Sequence, residues 1–158
     1  MENTEKLLKL LEKNAMLTNE QLGSMLGVPA VEVEAMKRKL LDDGIIKGSS
    51  IFYDDGGATV KAIIEISVTP AELRNEIATA LASCPQVKNL YLVASEEYDF
   101  SAFVEANDMS EISDFVADFV SHLEGVKATA THVLMKRYKE SGFNISTKKK
   151  DKDERVDL

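Results

Sequence analysis

Across Asp54-Asp55-Gly56-Gly57 the apolar residues of this chain change their spacing. Before that break they recur at intervals of three and four, the period of helices. After it they alternate, the period of a strand with one buried face. The break therefore marks a boundary: residues 1–56 form one domain, 57–141 a second, and 142–158 a charged tail. A length of 158 residues leaves room for two small domains.

In the first domain, Leu7, Leu8, Leu10 and Leu11 give a helical stripe that ends near Asn14. Thr18 and Gln21 have the spacing of a capping box, in which each side chain meets the other's backbone N–H. The helix they open turns Leu22, Met25 and Leu26 inward, and Gly27 suits a left-handed C-cap. Pro29 stands at the first turn of a third helix, with Val33, Met36 and Leu40 inward and Gly44 as its stop. Ile45-Ile46 and Ser50 to Tyr53, around Lys47-Gly48, predict a wing-like β-hairpin. The domain reads as a three-helix winged helix-turn-helix.

In the second domain, Val60, Ala62, Ile64, Ile66 and Val68 lie on one face of a strand, with Lys61, Glu65 and Ser67 on the other. Thr69 to Glu72 predicts another capping box, opening a helix with Leu73, Ile77 and Leu81 buried and Pro85 beyond its end. Val87 to Ala94 and Tyr98 to Val104 read as antiparallel neighbours joined by Ser95-Glu96-Glu97. A helix from Asp108 to Glu124 carries Ile112, Phe115, Val116, Phe119, Val120 and Leu123 on one stripe. A last strand runs from Val126 to Tyr138. The fold class is α+β, and the order βαββαβ is the ferredoxin-like antiparallel sheet with both helices on one face. Its other face is left bare, which predicts a partner, and Thr129 and Thr131 are read as interface positions on the last strand.

Composition narrows the function. Hydrophobic residues make up 44% and charged ones 29%, so the chain is neither disordered nor fibrous as a whole. No apolar run is long enough to span a membrane, and acids stand where a signal peptide is positive, which predicts a cytoplasmic protein with no membrane partner. The single Cys84 supplies no internal disulfide and no thiolate cluster. The net charge of −8 argues against strong affinity for nucleic acid, since that affinity comes largely from neutralised phosphates. The most basic stretch, residues 141–158, has five basic against four acidic residues. From residue 142 it is expected to be disordered, either as a solvated terminus or as an arm that touches phosphates.

The N-terminal helix-turn-helix LTNEQLGSMLGVPAVEVEAMKRKLLDDGIIKG, followed by a split βαβ domain with YDF after its second strand and GVKATATHVLMKRYK at its end, resembles the Lrp/AsnC family of transcription regulators. The likeness extends to about Ser141. It implies a homodimer built through the C-terminal domains and often assembled into octamers. It further implies binding to double-stranded promoter DNA and sensing of an amino-acid-like effector between subunits, with no cofactor.

By the same resemblance, DNA would be met by Val31, Glu32, Ala35, Met36, Lys37, Arg38, Lys39 and Lys47. Family members commonly carry Arg at the positions of Ala35 and Met36, whereas this helix brings Glu32 and Glu34 before its first positive charge. Binding is therefore expected to be weak per site and to depend on several heads acting together. The effector would be met by Ser95, Glu96, Glu97, Tyr98 and Asp99. The family's glycine-containing turn is replaced here by acids, which disfavour a ligand carboxylate and favour a cationic effector or none.

Enzyme readings are weaker. His122 and His132 lack a second ligand at metal spacing, so no metal site is assigned. Cys84 has no identifiable base, Gly56-Gly57 precedes a strand where a phosphate loop precedes a helix, and no catalytic residue is assigned. A family branch of similar architecture decarboxylates a haem precursor, but there the turn is expected to carry histidines, and Tyr98 has none beside it. The alternative from a different class is a non-DNA-binding interaction or sensor protein that kept the architecture.

Overall fold

A computed structural model describes residues 2–53 and 55–145, and divides into two compact units between Phe52 and Tyr53. The first unit holds three helices: α1 (Glu2–Lys13), α2 (Asn19–Leu26) and α3 (Ala30–Asp42). Leu7, Leu22, Val33 and Leu40 are its fully buried side chains, one or two from each helix. The capping box at the start of α2 forms in full: Gln21 N–H donates to Thr18 Oγ1 at 3.2 Å, and Thr18 N–H to Gln21 Oε1 at 2.9 Å. Gly27 ends α2 at φ 71°, the left-handed cap that a glycine adopts without strain. Met25, expected inside, is 60% exposed.

The predicted wing is absent, because among the described residues from 45 to 53 no strand pairs with another. The backbone explains it. Ile45 and Ile46 both donate their N–H groups to the Leu40 carbonyl, at 2.9 and 3.0 Å, so they close the end of α3 as a turn and leave no first arm for a ladder. Ile51 at 72% and Tyr53 at 69% stay exposed.

The second unit is one four-stranded antiparallel sheet in the order β2-β3-β1-β4. Its strands are β1 (Val60–Val68), β2 (Val87–Leu92), β3 (Phe100–Ala106) and β4 (Val126–Val133). Helix α4 (Arg74–Ala82) and the segment that begins as α5 (Met109–Asp114) contribute buried residues to the core on one face. Alternation does what it predicts: Ala62, Ile64, Ile66 and Val68 from β1 are buried with Phe100, Ala102, Val104 and Ala106 from β3. Ile77 and Leu81 of α4 complete this side. The predicted box at Thr69 is missing; the chain enters α4 through a 3₁₀ turn, Ala71–Leu73, with no side-chain cap.

The helix expected over 108–124 starts as predicted, with Glu111 N–H on Asp108 Oδ1 at 2.9 Å, but is α-helical only over α5. Phe115–Phe119 then makes a π turn and Val120–His122 a 3₁₀ turn. On a regular α-helix, residues five apart point about 140° from each other. The π turn brings Phe115 and Val120 to the same side, where both are buried and Val120 N–H reaches the Phe115 carbonyl.

Register also relocates Thr129 and Thr131. They pair with Ile66 and Ile64, so they share the helix-covered side and not the open face. On the open face Ile63, Tyr91 and Phe103 alternate with Lys61, Glu65 and Glu105. Tyr91 and Phe103 meet edge to face at 6.3 Å. The last strand ends at Val133, short of the expected Tyr138. Residues 142–145, assigned to the unstructured tail, begin otherwise: β5 (Lys139–Glu140) pairs with β6 (Phe143–Asn144). The rest of the tail, 146–158, lies outside the described residues.

Candidate nucleic-acid interface and effector turn

In the first unit α2 and α3 approach closely because residue 23 has no side chain. Gly23 is buried, its carbonyl accepts from Val28 N–H at 3.0 Å, and a Cβ built on it would stand 2.6 Å from the Val28 carbonyl oxygen. Only glycine allows this helix-to-turn contact. A glycine inside an amphipathic helix, beside Leu22, was the available signal for it.

That packing turns the start of α3 outward. Val31, at 72% exposure, stands with Glu32 and Ala35 on the free surface, and Arg38, Lys39 and Lys47 are also exposed. Met36 is different: it packs partly buried against the helix core, so its side chain is not on the free surface with Val31, Glu32 and Ala35. Lys37 is half-buried and donates to Asn19 Oδ1 at 2.9 Å, which joins α3 to the start of α2. Arg38 pairs with Glu34 one turn earlier at 3.2 Å, both side chains well exposed. Lys39 and Lys47 have no carboxylate within ion-pair distance among the described residues. The surface thus brings Val31, Glu32 and Ala35 together, with its uncommitted positive charge at α3's end and beyond.

In the second unit the turn 95–99 is built around Asp99. Its Oδ2 accepts Val68 N–H at 2.7 Å and its Oδ1 accepts Arg74 Nε at 2.8 Å, with Arg74 Nη2 on the same oxygen. The Val68 N–H, with help from Arg74, holds the Asp99 carboxyl below the usual carboxylate range against the opposing effect of burial. Its backbone is committed too: Asp99 N–H donates to the Ile66 carbonyl and its own carbonyl accepts from Val93 N–H, both at 2.8 Å. Asp99, read as an effector contact, thus has both carboxylate oxygens engaged in holding the turn to the end of β1 and the start of α4.

The other turn residues face a hollow of about 570 Å³, with Arg74, Thr69 and Lys127 on its wall beside Ser95, Glu96, Glu97 and Tyr98. Ser95 Oγ accepts from Glu97 N–H at 3.3 Å, which shapes the turn. Sequence reasoning missed Arg74 and Lys127. A cation in the first turn of α4 opposes the helix dipole, and that was a signal that a carboxylate partner lay nearby. Among the described residues no group of three or more His, Cys, Asp or Glu is placed to hold a metal ion. Cys84 donates its thiol to the Ala80 carbonyl at 3.3 Å, and burial pushes its pKa up, away from a reactive thiolate.

Comparison with known proteins gives a consistent picture. A family model described as the Lrp/AsnC ligand binding domain matches residues 61–142. The HTH-type transcriptional regulator YugG of Bacillus subtilis, itself uncharacterised, is 34% identical over 161 residues, covering 96% of each chain. Among solved structures, the leucine response regulatory protein LrpA of Mycobacterium tuberculosis superposes with a TM-score of 0.78 at 17% identity, over 92% of this chain and 99% of that one. The transcriptional regulator NMB0573 of Neisseria meningitidis, solved as its L-Met complex, superposes at 0.73 and 22% identity, over 89% and 92%. At these identities the structural likeness establishes the shared fold.

Proposed function

Because the chain belongs to the Lrp/AsnC family of transcription regulators, we propose that it works as a homo-oligomer whose N-terminal units bind double-stranded DNA through the start of α3. The second domain provides assembly and carries the effector turn. One observation supports this above the rest: Val31, Glu32 and Ala35 stand outward on a helix locked to its partner helix by the Gly23 contact. A regulator of chromosomal DNA acts in the cytoplasm, and no described helix is long and apolar enough to cross a membrane. The reading assigns no reaction to the chain.

Affinity in this reading is modest. Glu32 faces the phosphates, Lys37 and Arg38 are engaged within the unit, and the countercharge falls to Lys39 and Lys47. Labelled DNA from the gene's own upstream region is expected to raise fluorescence anisotropy at ~50 mM salt, where phosphate contacts are strongest. Glu32→Arg will tighten binding about tenfold, while Lys47→Ala will weaken it by roughly twofold to fivefold. No anisotropy change for wild type at that salt defeats the DNA reading. It leaves instead the interaction module, which the acidic start of α3 and the occupied Lys37 and Arg38 favour.

The effector turn carries Glu96 and Glu97 where a ligand carboxylate would approach, so α-amino acids bind weakly. Glu96→Gly removes one charge and one side chain, and will raise their affinity by roughly threefold to tenfold. A ligand at 100 times its Kd adds about 2.7 kcal/mol to stability, so a thermal-shift panel of amino acids reads this directly. Equal shifts in wild type and variant refute the assignment of this turn.

A further inference from the structure

The first half of α3, residues 30–36, reads Ala-Val-Glu-Val-Glu-Ala-Met. Val33 is buried and Met36 packs against the helix core, so the exposed side chains are those of Val31, Glu32, Glu34 and Ala35. Glu34 pairs with Arg38 at 3.2 Å, whereas the Glu32 carboxylate has no hydrogen-bond or ion-pair partner among the described residues. Residues 31 and 35 stand one above the other a turn apart, with 32 beside them. Together they present two aliphatic side chains and one free carboxylate: methyl groups and an acceptor, but no donor. The first cations that follow are engaged, Lys37 with Asn19 at 2.9 Å and Arg38 with Glu34.

In a major groove this chemistry discriminates between bases. Guanine is read by Arg or Lys on its two acceptors, and adenine by Asn or Gln, which donate and accept at once; residues 30–36 include none of the four. A carboxylate suits the cytosine amino group, and an aliphatic side chain suits the thymine C5 methyl. The phosphates sharpen the choice. They repel Glu32 at every sequence, and an amino hydrogen donated to its carboxylate offsets part of that repulsion only where the right base stands.

We propose that α3 reads pyrimidines: Glu32 accepts from the N4 amino group of a cytosine, while Val31 and Ala35 pack on the C5 methyl of a thymine beside it. This base preference rests on the DNA reading above and gives that surface its specificity.

The test is selection by the full chain from duplexes with a randomised core at ~50 mM salt, followed by sequencing, for wild type and for Glu32→Gln. Glutamine reads adenine, so the variant is expected to exchange cytosine for adenine at one position of the selected site, with a preference of about tenfold or more, and to leave the other positions alone. Glu32→Arg, expected to tighten binding, will select guanine there instead. On the duplex that wild type selects, deoxyuridine in place of one thymine removes only a methyl group. It will weaken wild type about threefold to fivefold in anisotropy titrations, and Val31→Ala by less than about twofold. Val31 and Glu32 are both exposed, so these variants fold, which melting curves check. If wild type and Glu32→Gln select the same bases, or if Glu32→Gln binds every duplex more tightly by the same factor, the proposal is overturned, because Glu32 is then a repelling charge alone. Wild-type affinity that is unchanged by uridine at every thymine overturns the Val31 contact. Both of those results leave DNA binding intact, whereas wild type that binds no duplex at this salt removes the DNA reading and the base preference together.

Discussion

Replacing Gly23 by alanine will lower the melting temperature of the N-terminal unit by about 10 °C. The new methyl would stand 2.6 Å from the Val28 carbonyl oxygen, closer than real Cβ atoms come to anything. Neither side gives cheaply. The oxygen belongs to the backbone of the turn, and the same turn is tied back to residue 23 by the Val28 N–H. Forcing a methyl into so tight a contact costs about 1–3 kcal/mol. In a unit of this size each kcal/mol moves the midpoint by roughly 4–8 °C. Among the described residues only four side chains, Leu7, Leu22, Val33 and Leu40, form its buried core, so little reserve is available to absorb the loss. Gly27→Ala is the matched comparison: nothing lies within 4 Å of its added Cβ, and it bears only the cost of a left-handed alanine at φ 71°. Circular dichroism on both variants decides the matter. If Gly23→Ala melts like wild type, the close approach of α2 to the turn is not what holds α3 in place.

The second large effect is expected at Asp99. Alanine there removes the acceptor for Val68 N–H and strips Arg74 of its carboxylate, costing about 2–3 kcal/mol of the second unit's stability. Asparagine keeps an acceptor for Val68 and will lose roughly half as much. Asp99's side chain is only 15% exposed, so this link is weakly screened, although Arg74 is more open to solvent. The same link gives an acid dependence of definite sign. Folding lowers the Asp99 pKa, so the charged carboxylate stabilises the fold above its unfolded value of about 3.9, and that contribution disappears as pH falls through the lower folded value. Melting temperatures collected from neutral pH down through that range will drop more steeply for wild type than for Asp99→Asn. Parallel curves would mean that the charge on Asp99 contributes nothing.

Local pattern revealed much of this architecture, and long-range pairing explains most of what it concealed. The alternation of β1, the capping box at Thr18 and the left-handed cap at Gly27 depend on residues a few positions apart, and each stands where its spacing placed it. The wing failed because β-prone side chains specify a strand only if a neighbour accepts the backbone, and the Leu40 carbonyl had taken Ile45 and Ile46 first. Likewise, six apolar residues at helical spacing could not reveal that a π turn would bring Phe115 and Val120 to one side. Charges were hardest. Arg74 meets Asp99 across 25 positions and Arg137 meets Asp55 across 82, distances at which no period links one residue to another. The helix-turn-helix pattern predicted α3 and its outward start, where Val31, Glu32 and Ala35 are exposed, but not the engagement of Lys37 with Asn19.

The strand order has a consequence for how the chain is made. β1 lies between β3 and β4, and of the four strands in this sheet β4 leaves the ribosome last, ending at Val133. Throughout most of synthesis, therefore, one flank of Ala62-Ile63-Ile64-Glu65-Ile66 offers an unsealed ladder to any passing polypeptide. Messages truncated before codon 126 will yield insoluble product, whereas those extending through codon 145 will yield soluble protein.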